Sequence, residues 1–317
     1  MPRLRVAVVG TLVAAVLAGC GDDESPRRID ATEPDLAGGN GELAYAISAS
    51  PGDLDPLAAD TIPAQAVSRQ VFEPLVATLN GPYGRARGVT GLALSTRHSA
   101  DFRVWSLRLR GGVRFQDGML LNASAVAANA ERWRTIAAGR RLLPGLVAAD
   151  APRPNLVRFV FSGPSRNLPS RLSEPRMGLV SPAALRPQSG SGAAVGRAGQ
   201  AGSGPFQLRS EPRGELVLAR NRGWWGTGLG LGPALDRISF PVAAAGGARV
   251  AMLRSGSVQV AGEIGPAAAA DLRGDPLLSA AGSGIYAVGF ERSVRGLRSG
   301  RPQSLSGVWR AAVDGPD

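Results

Sequence analysis

Few side chains in the sequence are suited to catalysis or metal binding. The chain contains one histidine, His98, and one cysteine, Cys20. His98 lies in a polar turn without a nucleophile elbow near it, and one histidine with one cysteine cannot supply the ligands of a common zinc site. Glycines alternate across residues 226–232, but Pro233 follows where a dinucleotide-binding loop needs a helix. We therefore expect no enzyme, no metal centre and no cofactor.

Cys20 follows a segment that is typical of an export signal. Arg3 and Arg5 precede an apolar run over residues 6–18, which is shorter than the roughly 20 residues that a permanent membrane helix needs. The small residues before Cys20 resemble the lipobox of bacterial lipoproteins, whose cysteine thiol carries a diacylglycerol. We expect residues 1–19 to be a signal peptide and Cys20 to be lipidated. The alternative is a buried free thiol in the first turn of a globular domain.

Charged residues are unevenly distributed along the chain. Residues 20–40 are acidic and rich in proline and glycine, so we expect a lipidated cysteine followed by a flexible tether. The net charge is +11, but no basic run is longer than two residues. Scattered arginines do not form a nucleic-acid stripe, so we expect no nucleic-acid partner, while weak attraction to anionic lipid or cell wall stays open.

Beyond the tether, hydrophobic periodicity predicts an irregular alternation of strands and helices. Helical spacing predicts a helix over residues 63–76 and a second one reaching residue 137, capped by Asn122 or Ser124. Strict alternation predicts a strand over residues 104–110. Further strands are expected at residues 43–48, 113–115, 156–161, 206–208, 215–219, 235–240 and 285–290, and further helical segments at 181–185 and 248–254. This order favours an α/β or mixed α+β fold class.

Several specific motifs occur along the chain in a fixed order. The most specific covers residues 105–118, WSLRLRGGVRFQDG. The other motifs are LDP at 54–56, VFEPLV at 71–76, GSGPF at 202–206, NRGWWG at 221–226, residues 249–261 and LSGVWRAA at 305–312. Collinear over residues 43–312, they resemble the family 5 extracellular solute-binding proteins, the dipeptide, oligopeptide and nickel binders of ABC importers. Pro74 replaces a glycine of that family, and Gln259 stands where an acid is common.

The resemblance implies a periplasmic-binding-protein-like type II fold, of which the chain carries the first lobe only. We expect that lobe at residues 41–290, followed by the truncated start of a second lobe at 291–317. Within the first lobe, a discontinuous main subdomain would comprise residues 41–60 and 176–290, with an inserted subdomain at 61–175. Trp224 and Trp225 are expected to pack in the core rather than to stack on a ligand.

The resemblance also implies a function and a site. We expect an extracytoplasmic lipoprotein, held at the cell membrane by its lipid, that binds peptides or similar small solutes and delivers them to an ABC permease. The cleft-facing residues implied are Ser50, Pro51, Gly262 and Glu263, and Glu263 suits a cationic ligand group. The alternative for Glu263 is an exposed loop carboxylate. The alternative function is a one-lobed surface lipoprotein that acts as a scaffold or interaction module, or an incomplete gene product.

Overall fold

A computed structural model describes the residues that form the predicted lobe. They are 41–52, 54–76, 91–185, 201–210, 216–229, 233, 235–265, 278–281 and 286–289. The predicted signal peptide, Cys20, the tether and the segment 291–317 lie outside the described residues, so each of them stays a prediction. No helix within the described ranges is long and apolar enough to cross a membrane.

The described elements alternate irregularly, as the hydrophobic pattern predicts. The strands are β1 (Gly41–Ala46), β2 (Ala93–His98), β3 (Val104–Leu109), β4 (Leu146–Arg153), β5 (Leu156–Phe161), β6 (Phe206–Ser210), β7 (Leu216–Arg220), β8 (Leu235–Ser239), β9 (Val260–Gly262), β10 (Leu278–Ala281) and β11 (Tyr286–Gly289). The helices are α1 (Ile62–Val71), α2 (Ala123–Thr135), α3 (Ala137–Leu142), α4 (Leu168–Arg171), α5 (Pro182–Leu185) and α6 (Gly246–Arg254).

The larger sheet has seven strands in the order β10-β11-β9-β1-β8-β7-β6. Its central strand β1 runs parallel to both neighbours, with Leu43 opposite Ile238 of β8 and Tyr45 opposite Val260 of β9. The outer pairs are antiparallel. Helix α1 contributes Val67 to the buried core of this sheet. The parallel centre is the part of the sheet that positions the candidate site.

The smaller sheet is antiparallel, with the strand order β2-β3-β5-β4. Alternate residues of β3 face inward, where Trp105 and Leu107 join Phe159 of β5 and Trp133 of α2 in a second buried core. The side chains between them point to the opposite, solvent-facing side. Together the two sheets and their helices form a mixed α/β fold, which confirms the predicted class.

Three predicted elements differ from the structure. The helix predicted to reach residue 137 ends at Thr135, because Ile136 is extended and α3 begins at Ala137. The helix predicted over residues 63–76 ends at Val71, and Phe72 is already extended. Pro74 explains this end, because a proline disfavours helical geometry in the residue before it and cannot donate its own backbone hydrogen bond. Residues 113–115 form no strand of their own; Arg114 makes an isolated bridge with Leu120 across the Asp-Gly turn.

Buried polar contacts connect the cores of the two sheets. Asn129 of α2 is fully buried and exchanges hydrogen bonds with the backbone of Val180, at 2.8 Å from Nδ2 to the carbonyl and 3.0 Å from the amide to Oδ1. Arg132 pairs with Asp55, which caps the 3-10 turn at Pro56–Ala58. The subdomain boundaries expected from the sequence stay a prediction.

Candidate functional site

Three parallel strands end at one edge of the seven-stranded sheet. Beyond β1 the chain stays paired with the segment after β8: Ile47 bridges Val242, and the Ala243 amide donates to the Ile47 carbonyl at 2.9 Å. On the other side of β1, β9 ends at Gly262. In open α/β sheets, ligands bind outside the carboxyl ends of the strands. We therefore take this edge, formed by residues 47–51, 241–245 and 262–265, as the candidate site, and call it the carboxyl edge.

Arg249 of α6 holds the two outer segments of the carboxyl edge. Its side chain is buried, with 3% of the residue exposed. Nε donates to the Gly262 carbonyl at 2.8 Å, and Nη2 donates to the Glu263 carbonyl at 2.5 Å. Nη1 donates to the carbonyls of Ala243 and Ala244, the second at 2.8 Å. One buried guanidinium thus satisfies four carbonyls, which offsets the large free energy needed to remove its charge from water.

Glu263 has an unusual backbone conformation, with φ at +50°. Left-handed geometry is unfavourable for a residue with a Cβ and persists where surrounding contacts determine it. Here the carbonyls of Gly262 and Glu263 both turn toward Arg249. The same turn places the Glu263 carboxylate against the end of β1, where it accepts a hydrogen bond from the Ser48 hydroxyl. Glu263 is half-buried.

Gly262 lies where two parallel strands approach closely. A Cβ at this position would lie 2.9 Å from the Tyr45 hydroxyl oxygen and 3.1 Å from Tyr45 Cε2. Tyr45 itself is buried, so its ring has little room to move away. Glycine is therefore the residue that allows β9 to pass Tyr45 and to present Glu263 at the carboxyl edge.

The four predicted site residues lie on two segments of the same edge. Gly262 and Glu263 contact the end of β1 as described, but through Ser48 rather than through Ser50. Ser50 is exposed and Pro51 is half-buried, further along the segment that follows β1. In the described part of the chain, no hydrogen bond joins either of them to Glu263.

Sequence reasoning did not identify Ser48 and Arg249 as residues of the site. Ser48 carried a signal that would have helped, because it is the first polar residue after the buried strand β1. Nothing in the sequence distinguishes Arg249 from the solvent-exposed arginines, since its role depends on carbonyl groups of two distant segments.

A second polar cluster surrounds Glu73, just after α1. Its carboxylate accepts hydrogen bonds from the indole N–H groups of Trp224 and Trp225, at 3.0 and 3.1 Å, and from the Ser203 hydroxyl at 2.9 Å. Burial raises the pKa of Glu73 to about 7, although these hydrogen bonds and the charge of Arg110 oppose the shift. The donors all belong to the chain itself, which is typical of a structural clamp rather than of a ligand site.

The Glu73 cluster also explains two sequence motifs. A Cβ on Gly202 would lie 1.9 Å from the Val71 carbonyl oxygen, so the GSGPF segment can approach the end of α1 only with glycine there. That approach brings Ser203 to Glu73. Trp224 and Trp225 are half-buried and directed at the same carboxylate, while Arg110 lies 4.2 Å above the Trp225 ring.

His98 occupies an exposed turn at the end of β2. Its Nδ1 lies 2.9 Å from the backbone carbonyl oxygen of Ser99, and its ring stacks on Phe102 at 4.2 Å. The Ser99 hydroxyl instead donates to Asp101. The three side chains therefore do not form a nucleophile, base and orienting acid in series. Within the described ranges, no group of three or more histidine, cysteine or acidic residues is arranged to hold a metal ion.

Comparison with known proteins identifies a protein family and similar proteins. Residues 88–300 match the family of bacterial extracellular solute-binding proteins, family 5. The glutathione-binding protein GsiB of Escherichia coli is 30% identical over 224 residues, which cover 69% of this chain and 42% of GsiB. The chain therefore spans less than half the length of this relative.

Solved structures also resemble a large part of the chain. An ABC transporter substrate-binding protein from Sinorhizobium meliloti has a TM-score of 0.63 at 25% identity, covering 75% of this chain and 48% of that protein. NikA from Brucella suis, in complex with Fe(III)-EDTA, has a TM-score of 0.61 at 26% identity, covering 75% of this chain and 47% of NikA.

Proposed function

This chain belongs to family 5 of the bacterial extracellular solute-binding proteins, and from that membership we propose that it is the substrate-binding component of an ABC importer. It binds a peptide or a similar small solute outside the cytoplasm and delivers it to a membrane permease. Members of this family are binding proteins and not enzymes.

The observation that carries the proposal is the geometry of the carboxyl edge. Three parallel strands end together there, and Glu263 is fixed by Arg249 at the point where β1 and β9 meet. A carboxylate held in a defined place at the end of a sheet can orient a ligand by a charge-assisted hydrogen bond. Ser50, Pro51, Gly262 and Glu263 form one side of the proposed site, with Ser48 beside Glu263.

The similar proteins point to two classes of solute, peptides and metal chelates. GsiB binds glutathione, a tripeptide, and NikA was solved with a metal chelate. The peptide class is favoured here because Glu263 suits an ammonium group. Arg249 does not provide a site for a ligand carboxylate, since Nε and both terminal nitrogens donate to backbone carbonyls.

The proposed location is the outer side of the cell membrane. Residues 1–19 direct export, Cys20 carries the lipid, and residues 20–40 tether the folded lobe. Substitution of Cys20 by alanine should release the protein into the medium or block its maturation, as measured by fractionation of cells. Unchanged retention in the membrane fraction would refute the anchor while leaving the solute-binding proposal intact.

Isothermal titration calorimetry with glutathione and a panel of dipeptides to pentapeptides tests the binding function. We expect saturable binding of at least one peptide. Glu263→Gln should weaken that binding about tenfold, the loss typical of one charge-assisted hydrogen bond. The matched control is Glu174→Gln, which removes a carboxylate from an exposed turn.

The outcomes of this experiment separate the candidate functions. Binding that survives Glu263→Gln unchanged would move the site away from the carboxyl edge. No binding across the panel, together with normal peptide uptake in a deletion strain, would favour the alternative of a surface lipoprotein that acts as an interaction module.

A further inference from the structure

One face of the four-stranded sheet carries a group of exposed arginines. The opposite face is buried against α2, whereas the side chains that alternate with the buried ones on β3 and β5 face solvent. An antiparallel sheet commonly leaves one face to water, and that face is then polar. In this sheet the polar face is strongly cationic. Its charged residues are Arg97, Arg108, Arg153, Arg158 and Asp150, and we call this surface the basic face.

Strand register brings three of these arginines together. Arg97 and Arg158 lie opposite Ser106 of β3, one on each side of it. Arg108 is two residues further along β3, so it is the diagonal neighbour of both. Diagonal positions on one face are about 7–8 Å apart, within reach of long side chains. Arg153 lies on β4 opposite Leu156, which itself faces Arg108.

The basic face is only partly neutralised by its own sheet. Arg158 forms a bidentate pair with Asp150, at 3.1 Å from Nε to Oδ1 and 2.5 Å from Nη2 to Oδ2. In the part of the chain that the structure describes, no acidic side chain pairs with Arg97, Arg108 or Arg153. Like charges on neighbouring strands destabilise a sheet. Arg97, Arg108 and Arg153 therefore gain no neutralising carboxylate within the described residues, and their charge is available to an external anion.

We propose that the basic face docks on the anionic phospholipid headgroups of a membrane. Guanidinium groups bind phosphate oxygens in a planar, bidentate manner, and the strand register places several of them on one face of the sheet. A membrane surface offers a two-dimensional array of phosphates that matches this arrangement. The contact would orient the lobe on the membrane, and it does not rest on the solute-binding function.

Vesicle co-sedimentation of the full chain tests this proposal. We expect stronger binding to vesicles of phosphatidylcholine with phosphatidylglycerol than to phosphatidylcholine alone, and loss of that difference at high salt. The triple variant Arg97→Gln, Arg108→Gln, Arg153→Gln should lose about fivefold in partitioning for each arginine removed. All proteins compared share residues 1–40, so any contribution from that segment cancels.

Two further variants make the result specific. The control triple Arg114→Gln, Arg141→Gln, Arg222→Gln removes the same charge from exposed positions outside the sheet and should bind within about twofold of the wild type. Replacement of Arg97, Arg108 and Arg153 by lysine keeps the charge and should keep most of the binding, which separates loss of charge from loss of folding.

Three results would overturn the proposal. An equal loss in the two glutamine triples would mean that net charge alone attracts the vesicles. Equal binding to neutral and anionic vesicles would remove the electrostatic basis. Binding of the wild type to a soluble polyanion such as heparin, without binding to the anionic vesicles, would assign the basic face to a polymer instead of a lipid surface.

Discussion

At the scale of single residues, Arg249 determines the geometry of the carboxyl edge. Most exposed arginines contribute little to stability, but this one is buried and donates to four carbonyls of two segments. Substitution of Arg249 would leave these carbonyls without their donor, so we expect this position to be sensitive to substitution.

Arg249→Met should therefore lower the free energy of unfolding by about 3 kcal/mol, since each buried acceptor left without a partner costs about 1–3 kcal/mol and water can reach some of them at the edge. Arg249→Lys should fall between this variant and the wild type, because an ammonium group reaches fewer carbonyls. Urea denaturation measures both. A loss below about 0.5 kcal/mol for the methionine variant would show that the four carbonyls find other donors.

The raised pKa of Glu73 predicts that the stability of the protein depends on pH. Its pKa in the folded protein is about 7, above the ordinary value of 4.5. The folded state thus binds this proton more tightly than the unfolded chain does, so the contribution of Glu73 is complete below pH 4.5 and decreases as the pH rises to about 7. The free energy of unfolding should decrease by about 2 kcal/mol across this range.

Urea denaturation of Glu73→Gln at a series of pH values checks this prediction. The variant cannot titrate at residue 73, so its profile should be flatter than that of the wild type between pH 4.5 and 7. Glu174→Gln, at an exposed position, should keep the profile of the wild type. Parallel profiles for the wild type and Glu73→Gln would contradict the raised pKa.

At the scale of elements, the sequence pattern predicted the helix ends and strands that depend on interactions between residues close together in the chain. Asn122 caps α2 as expected, because its side chain accepts a hydrogen bond from the Ala125 amide at 2.9 Å. The strand β5 has the predicted bounds, and the burial of its residues alternates along its length. By contrast, β4 has little apolar alternation and forms through its pairing with β5, which no local pattern reveals.

The cap at Asn122 gives a prediction for this scale. Asn122→Ala should lower the free energy of unfolding by about 1 kcal/mol, because the Ala125 amide loses its acceptor at the start of the helix. Asn122→Asp should restore most of the stability, since aspartate caps equally well. Thermal unfolding followed by circular dichroism measures both variants, and equal stability of the alanine variant and the wild type would argue against the cap.

At the scale of the whole molecule, the sequence motifs indicated more about the fold than the individually predicted helices and strands did. They indicated the family, because glycine and tryptophan positions such as Gly202 and Trp224 record contacts between distant segments. The candidate site was predicted only in part. Glu263 was identified, but its fixed position depends on the register of β1 with β9 and on Arg249, and neither follows from the sequence near residue 263.

We expect a peptide to bind at the carboxyl edge. Chemical-shift mapping by ¹H–¹⁵N NMR, during titration with the tightest peptide of the calorimetric panel, tests this location of the site. We predict saturable shifts concentrated in the backbone amides of the carboxyl edge, residues 47–51, 241–245 and 262–265. Glu263→Gln should weaken the binding that these shifts report. Saturable shifts confined to other regions, with these three segments unchanged, would contradict the claim.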